Sequence, residues 1–377
     1  MAAPKLRFKE FGGCWENTSF QSLFTFKNGI NASKEQYGSG TKFINVLDII
    51  NNPNGITYDS IIGSVQVFQK DIDKNLVNYG DVVFQRSSET REEVGQSNVY
   101  LSKEPVAFGG FVIRGSARVP YDPLFMNGLL KTDKVRDQIT QLSGGSTRFN
   151  IGQDSLNKVS VFLPLNEEQT KIASFLSNVD EKISQLTQKY ALLSQYKQGM
   201  MQKLFSQQIR FKADDGSEFG EWEDKILKDL FPKIRNGFVG VATPYYVNYG
   251  VKYLQGKNIK NGKIDATGLI FINQEFHQKK TNSILKTNDI LMVQSGHVGE
   301  CAVVTEDYDN ANCHALLVLS PKSSKLINSK FVVYYFYSEI GKKKIALIKT
   351  GNTIEHILAS DIKEVALLFP CLAEQTK

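Results

Sequence analysis

A tetrapeptide occurs twice in this 377-residue chain, far apart: Glu168-Gln169-Thr170-Lys171 returns as Glu374-Gln375-Thr376-Lys377, a shift of 206 residues. The match reaches back to Gly145-Ser146-Thr147 and Gly351-Asn352-Thr353, and it carries Pro164 onto Pro370. The front halves correspond as well. Leu6-Arg7-Phe8 resembles Ile209-Arg210-Phe211, and Trp15-Glu16 resembles Trp222-Glu223, so the only two tryptophans fall at equivalent places. Asn28-Gly29 answers Asn236-Gly237, and Gly80-Asp81-Val82-Val83 answers Asn288-Asp289-Ile290-Leu291. A repeat this long is two copies of a domain, because solenoid units run to only about 20–50 residues. The copies keep their edges and differ in their centres, which suggests one scaffold carrying two specificities.

Between the copies lies Asn166 to Phe205. Apolar residues fall at Ile172, Phe175, Val179, Ile183, Leu186, Tyr190, Leu193, Met200 and Leu204, with steps mostly of three and four. That spacing makes one buried stripe on a helix. Asn166 is placed to cap the first turn while Gln169 reaches back to it, a variant of the capping box. At 1.5 Å per residue the helix is about 58 Å long. A lone helix of that length cannot hide its stripe, so a partner helix of the coiled-coil kind is expected.

Each copy reads as a mixed domain with a strand-rich centre and a late helix. The strands of the first copy are expected within 42–50, 65–68, 81–84, 107–113 and 159–163, and its helix over 124–142. Those of the second are expected within 252–254, 269–272, 289–293, 302–304 and 315–319, with a helix over 331–348. The fold class is therefore α+β: two repeated mixed α/β domains joined by a long coiled-coil-type helix. The expected boundaries are 1–165, 166–206 for the helix, 207–371, and 372–377 as the start of a second, truncated helix. Four cysteines without a CxxC pair fit a reducing cytoplasm. No apolar run reaches about 18 residues, so no membrane span is expected. A net charge of +6 permits an anionic partner without demanding one.

Catalytic constellations are hard to find. Thr243-Pro244-Tyr245-Tyr246 lacks the amide or carboxylate of an amino-methylating clamp, and no glycine run completes a cofactor loop. Asp214, Asp215, Glu223 and Lys225 could be arranged as a magnesium nuclease, but a solvated acidic stretch is the simpler reading. His297, Cys301, Cys313 and His314 could ligate zinc; their spacing matches no standard finger, and buried or loop residues are the default.

Nucleic-acid contact has better support. After the equivalent Asp81 and Asp289 strands come Gln85-Arg86-Ser87-Ser88, with Arg91, and Gln294-Ser295-Gly296-His297. Gln and Arg read adenine and guanine edges bidentately. Thr147 and Arg148, and Asn352 and Thr353 beside Lys349, offer groups suited to phosphates. Arg235 and Asn236 join this set next to the repeated glycine. Lys342-Lys343-Lys344 and the lysines between 257 and 263 add positive charge.

The doubled Glu-Gln-Thr-Lys with its preceding proline, the run Ile172-Ala173-Ser174-Phe175-Leu176-Ser177-Asn178-Val179, and Lys197 to Phe205 together resemble the specificity subunit of type I restriction–modification systems. The resemblance spans the whole chain. It implies two target recognition domains, each reading one half of a bipartite sequence in double-stranded DNA. It further implies helices that pair as a spacing coiled coil and dock two modification subunits, which hold S-adenosylmethionine and methylate adenine. Restriction subunits, using ATP and magnesium, then translocate and cleave. The chain itself would bind no cofactor and catalyse nothing. The missing second helix departs from the family pattern, leaving the stripe to pair in trans or stay partly exposed. The competing readings are a methyltransferase or nuclease acting alone, and a structural adaptor without DNA affinity.

Overall fold

In each copy the first and last strands pair with each other. Glu16–Ser19 runs antiparallel to Ser160–Leu163, and Glu223–Ile226 runs antiparallel to Ala366–Phe369. The computed structural model describes residues 4–351 and 355–377. The chain divides into two units, Met1–Thr187 and Gln188–Lys377.

Inside each unit stands a four-stranded antiparallel sheet of one design. In the first the order is Phe24–Asn28, Val112–Ala117, Val82–Gln85, Ser97–Val99. In the second it is Lys233–Asn236, Leu316–Ser320, Ile290–Val293, Cys301–Val303. Central strands such as Val82–Gln85 and Ile290–Val293 are buried along their whole length, which is why they read as apolar runs rather than alternations. A second sheet in each unit contains one parallel pair, Phe43 beside Ala107 and Tyr253 beside Asn312. Among the described residues, no helix is long and apolar enough to cross a membrane.

The late helix of each copy is two helices, not the single one expected. Pro123–Leu130 and Asp133–Leu142 meet at Lys131-Thr132, and Ser329–Tyr337 and Glu339–Leu347 meet at Ser338. In the second copy the break has a local cause. Asp122 caps Phe125 N and Asn328 caps Lys330 N at the first starts, while Ser338 Oγ accepts from Gly341 N at the restart. The expected strand 42–50 likewise splits into strand Tyr37–Ile44 and helix Val46–Asn51, where Asp48 accepts from Asn45 N.

The repeated tetrapeptide is the rivet of each unit. Glu168 is buried and takes two hydrogen bonds from the Arg7 guanidinium, both 2.6 Å, and one from the Trp15 indole at 3.3 Å. Glu374 holds Arg210 at 3.0 and 2.7 Å and Trp222 at 3.0 Å. Gln169 does not reach back to Asn166, so the expected capping box is not formed. Its Nε2 donates to Pro164 O and its Oε1 accepts from Asp122 N, and Gln375 repeats both bonds with Pro370 O and Asn328 N. One dipeptide thus binds the opening segment, the proline that ends the last strand, and the cap of the late helix.

Asn166–Phe205 is a continuous helix of 40 residues. Its ends are seated, with Ile172 half-buried and Phe205 packed among Trp222, Phe331 and Tyr335. Its middle is open: Phe175, Val179, Ile183, Leu186, Tyr190 and Leu193 are all exposed, Tyr190 at 76%.

Candidate nucleic-acid interface

The two polar loops that the sequence singled out in each copy are brought together by main-chain pairing. In the first, Ser87 and Ser88 pair with Asn150 and Phe149, and Arg86 O accepts from Ile151 N at 3.0 Å. In the second, Ser295 bridges to His356, and Gln294 O accepts from Ile357 N at 2.9 Å. The hairpin that carries the second loop closes identically in both, Gly144 opposite Asn150 and Thr350 opposite His356. Gly145 makes the bend possible: its φ is +120°, and a Cβ there would lie 2.1 Å from Arg148 O. Asn352 and Thr353 lie outside the described residues.

This pairing corrects the alignment of the loops by one residue. Gln85 is the last residue of its strand and faces Val112, as Val293 faces Leu316. Gln85 is buried and its Nε2 donates to Ser87 O, while its Oε1 has no hydrogen-bond partner among the described residues and the side chain lines a cleft with Ser87, Ser88 and Arg148. The residue equivalent to Gln294 is Arg86, half-buried, whose Nη1 donates to Gly110 O at 3.3 Å. A constant shift of 208 from Asp81 to Asp289 carries this register, whereas the shared glutamine letter obscures it.

Arg235 is also drawn inward. Its guanidinium donates to Asn282 O, Ser320 Oγ and Ile284 O and pairs with Asp289 at 3.3 Å. It is a structural cation, and the expectation that it faces DNA is corrected; Asn236 beside it stays exposed. Lys349 is partly covered and paired with Glu355 at 2.8 Å. Exposed at the joined loops are Arg91, Thr147 and Arg148 in the first copy and Ser295 and His297 in the second; Ser87 is half-buried. Arg91 lies over the Phe149 ring at 5.8 Å, held beside the loop it serves.

The other candidate chemistry dissolves into structure. Cys301 and Cys313 are buried thiols, and burial pushes Cys313 up to about 12. Among the described residues no group of three or more His, Cys, Asp or Glu side chains lies together in a way that could hold a metal. Lys225 pairs with Glu223, Asp214 with Lys377, and Asp215 accepts from Ser217 N, so the four members of the imagined nuclease set are divided among three surface contacts. Tyr245 of the Thr-Pro-Tyr-Tyr stretch stacks on Phe276 at 4.5 Å.

Sequence profiles agree with this doubled architecture. The Type I restriction modification DNA specificity domain matches residues 14–195 and again 220–377. The chain belongs to this family, that of the specificity subunits of type I restriction–modification systems. A putative type I restriction enzyme MjaX specificity subunit of Methanocaldococcus jannaschii is 25% identical over 372 residues, 96% of this chain and 84% of that protein. The EcoKI specificity subunit of Escherichia coli is 21% identical, across 81% of this chain and 69% of that one. In fold the chain is similar to the S subunit from M. genitalium, with a TM-score of 0.54 at 16% identity, covering 100% of this chain and 89% of that chain. A similar likeness, TM-score 0.53 at 16% identity, holds for the HsdS subunit from Thermoanaerobacter tengcongensis, covering 100% of this chain and 88% of that one.

Proposed function

We propose that residues 1–165 and 207–371 are two target recognition domains, each reading one half of a bipartite DNA sequence. The observation that carries this is the joint described above: the same two loops meet in both copies, but with different side chains on them. A conserved joint with changed side chains is what two readers of different base sequences require. Arg91, Thr147 and Arg148 in the first domain, and Ser295, His297 and Lys349 in the second, supply phosphate and edge contacts. Arg86 and Gln294, equivalent in the backbone and suited to guanine and adenine edges respectively, specify.

The spacer helix sets the number of unspecified base pairs between the halves. Its exposed stripe, from Phe175 to Leu193, is covered by the modification subunits or by a second helix. Two modification subunits, holding S-adenosylmethionine, methylate adenine in the target. Restriction subunits cleave with ATP and magnesium. The chain contributes address rather than chemistry and works in the cytoplasm.

The test is a gel shift of the chain with its modification subunits on duplexes carrying the methylated sequence found by methylome sequencing. Scrambling either half should abolish specific binding. Inserting one helical turn into the spacer, about 5.4 Å, should shift the preferred spacing by one or two base pairs. Equal affinity for scrambled duplexes, or methylation by the purified chain alone, would overturn the reading.

A further inference from the structure

The hydrogen bonds around the reading cleft show that the first copy has one residue that the second lacks, and that residue is Phe111. Two anchors are shared. Gly110 N donates to Ile30 O at 2.9 Å as Ala315 N donates to Phe238 O at 2.9 Å, and Gly29 N donates to Val112 O as Gly237 N donates to Leu316 O. Between these anchors the second copy steps directly from Ala315 to Leu316, whereas the first inserts Phe111 between Gly110 and Val112.

The inserted ring is 64% exposed, yet the turn that carries it is pinned by main-chain bonds. Phe111 O accepts from Arg86 N at 2.8 Å, and Val112 N donates to Gly109 O at 2.9 Å. Close approach of Gly29 to the Gly109 carbonyl, where a Cβ would sit at 2.3 Å, leaves the turn no room to move aside. An exposed aromatic on a rigid turn loses little freedom on binding, which is how contact residues are built.

Phe111, Leu47 and Val46 give an open cleft of about 510 Å³ its apolar lining, and Gln85, Ser87, Ser88 and Arg148 add polar groups. Glu89 and Glu93 also border it, Glu93 tied to Ser88 Oγ at 2.9 Å. Glu89 and Glu93 disfavour a phosphate inside the cleft, so phosphates fall to the exposed arginines, Arg91 outside it and Arg148 on its lining, and the cleft itself meets base edges. Among the unmodified bases only thymine presents a methyl group, at C5, on its major-groove edge.

We propose that Phe111 is a specificity-determining residue of the first domain, packing on the 5-methyl group of a thymine in its half-site. This rests on the reading of the chain as a DNA specificity subunit. The test is a scan of the preferred duplex in which each thymine of both halves is replaced by deoxyuridine, which pairs identically but lacks the methyl. The full chain with its modification subunits is titrated as wild type, F111A and F111L.

With wild type, one substitution, confined to one half-site, should weaken binding about fourfold, the worth of one buried methyl group. F111A should bind the thymine duplex more weakly and lose the discrimination at that position, while F111L, still apolar, should keep it. Equal deoxyuridine profiles for wild type and F111A, or a first half-site without thymine, would overturn this inference while leaving the DNA-specificity reading intact. A wild-type complex with no preferred duplex would overturn both.

Discussion

The same buried carboxylate is answered from different strands in the two copies. In the first, Asp81 faces Arg114 on Val112–Ala117, 3.9 Å away; in the second, Asp289 faces Arg235 on the neighbouring strand Lys233–Asn236, at 3.3 Å. Both arginines also donate to an equivalent carbonyl, Leu76 O or Ile284 O, and both aspartates accept a turn N–H, from Asn78 or Lys286. Where Arg114 stands in the first copy, the second has buried Val318; where Arg235 stands in the second, the first has Lys27. The interior therefore demands a cation against that carboxylate and a closed turn, and is indifferent to which strand supplies it. The cleft obeys the opposite rule: the backbone joint is invariant, and Arg86 against Gln294, or Phe111 against no residue, is where the copies part.

The comparison breaks most visibly at the carboxylate. D81A and D289A each strand a buried guanidinium and open a turn, so each should cost about 3–5 kcal/mol in urea unfolding. A cost under about 1 kcal/mol in either copy would show that the pair is decorative there. Next in size, R86A should lose about 1–3 kcal/mol of binding and relax one base position in one half-site only. Equal loss at both halves would mean that the joint, not the side chain, specifies.

A smaller effect separates positioning from reading. R148A should weaken binding uniformly across sequences and reduce the salt slope by about one; a change in base preference would promote Arg148 to a reader.

The smallest concerns pH. Burial raises Asp81 above its ordinary 3.8, against the opposing pull of the Asn78 N–H and Arg114. The folded state then holds its proton longer than the unfolded chain, so this group's contribution falls as pH rises from about 4 through the folded value. D81N should remove that part of the slope, seen as a difference between wild-type and variant unfolding curves from pH 4 upward. An unchanged difference across that range would mean the carboxylate ionises as it does in the open chain.

Much of this was legible in the sequence because it is written in residues that occur twice. Glu168 and Glu374, Arg7 and Arg210, Trp15 and Trp222 are letters with one burial and one set of bonds each, so repetition exposed them. The helix 166–205 was legible by periodicity. What misled was identity without register: Gln85 and Gln294 share a letter but not a backbone position, and Arg235 looked like a surface cation because a sequence does not show that Asp289 waits behind it. Phe111 was invisible for a related reason. A one-residue insertion in a divergent centre leaves no trace until hydrogen bonds on either side mark the equivalent atoms. The break at Ser338 was readable as a cap, but the apolar spacing ran through it and masked it.

One consequence follows from the way each domain's ends are stitched together. Because the first strand lies beside the last, and both are tied to the Glu-Gln pair at the root of a helix, about 140 intervening residues depart from and return to the same place. Such a segment is interchangeable in principle: any replacement that leaves and rejoins at the same seam could alter what the domain touches without disturbing the bonds that hold its ends.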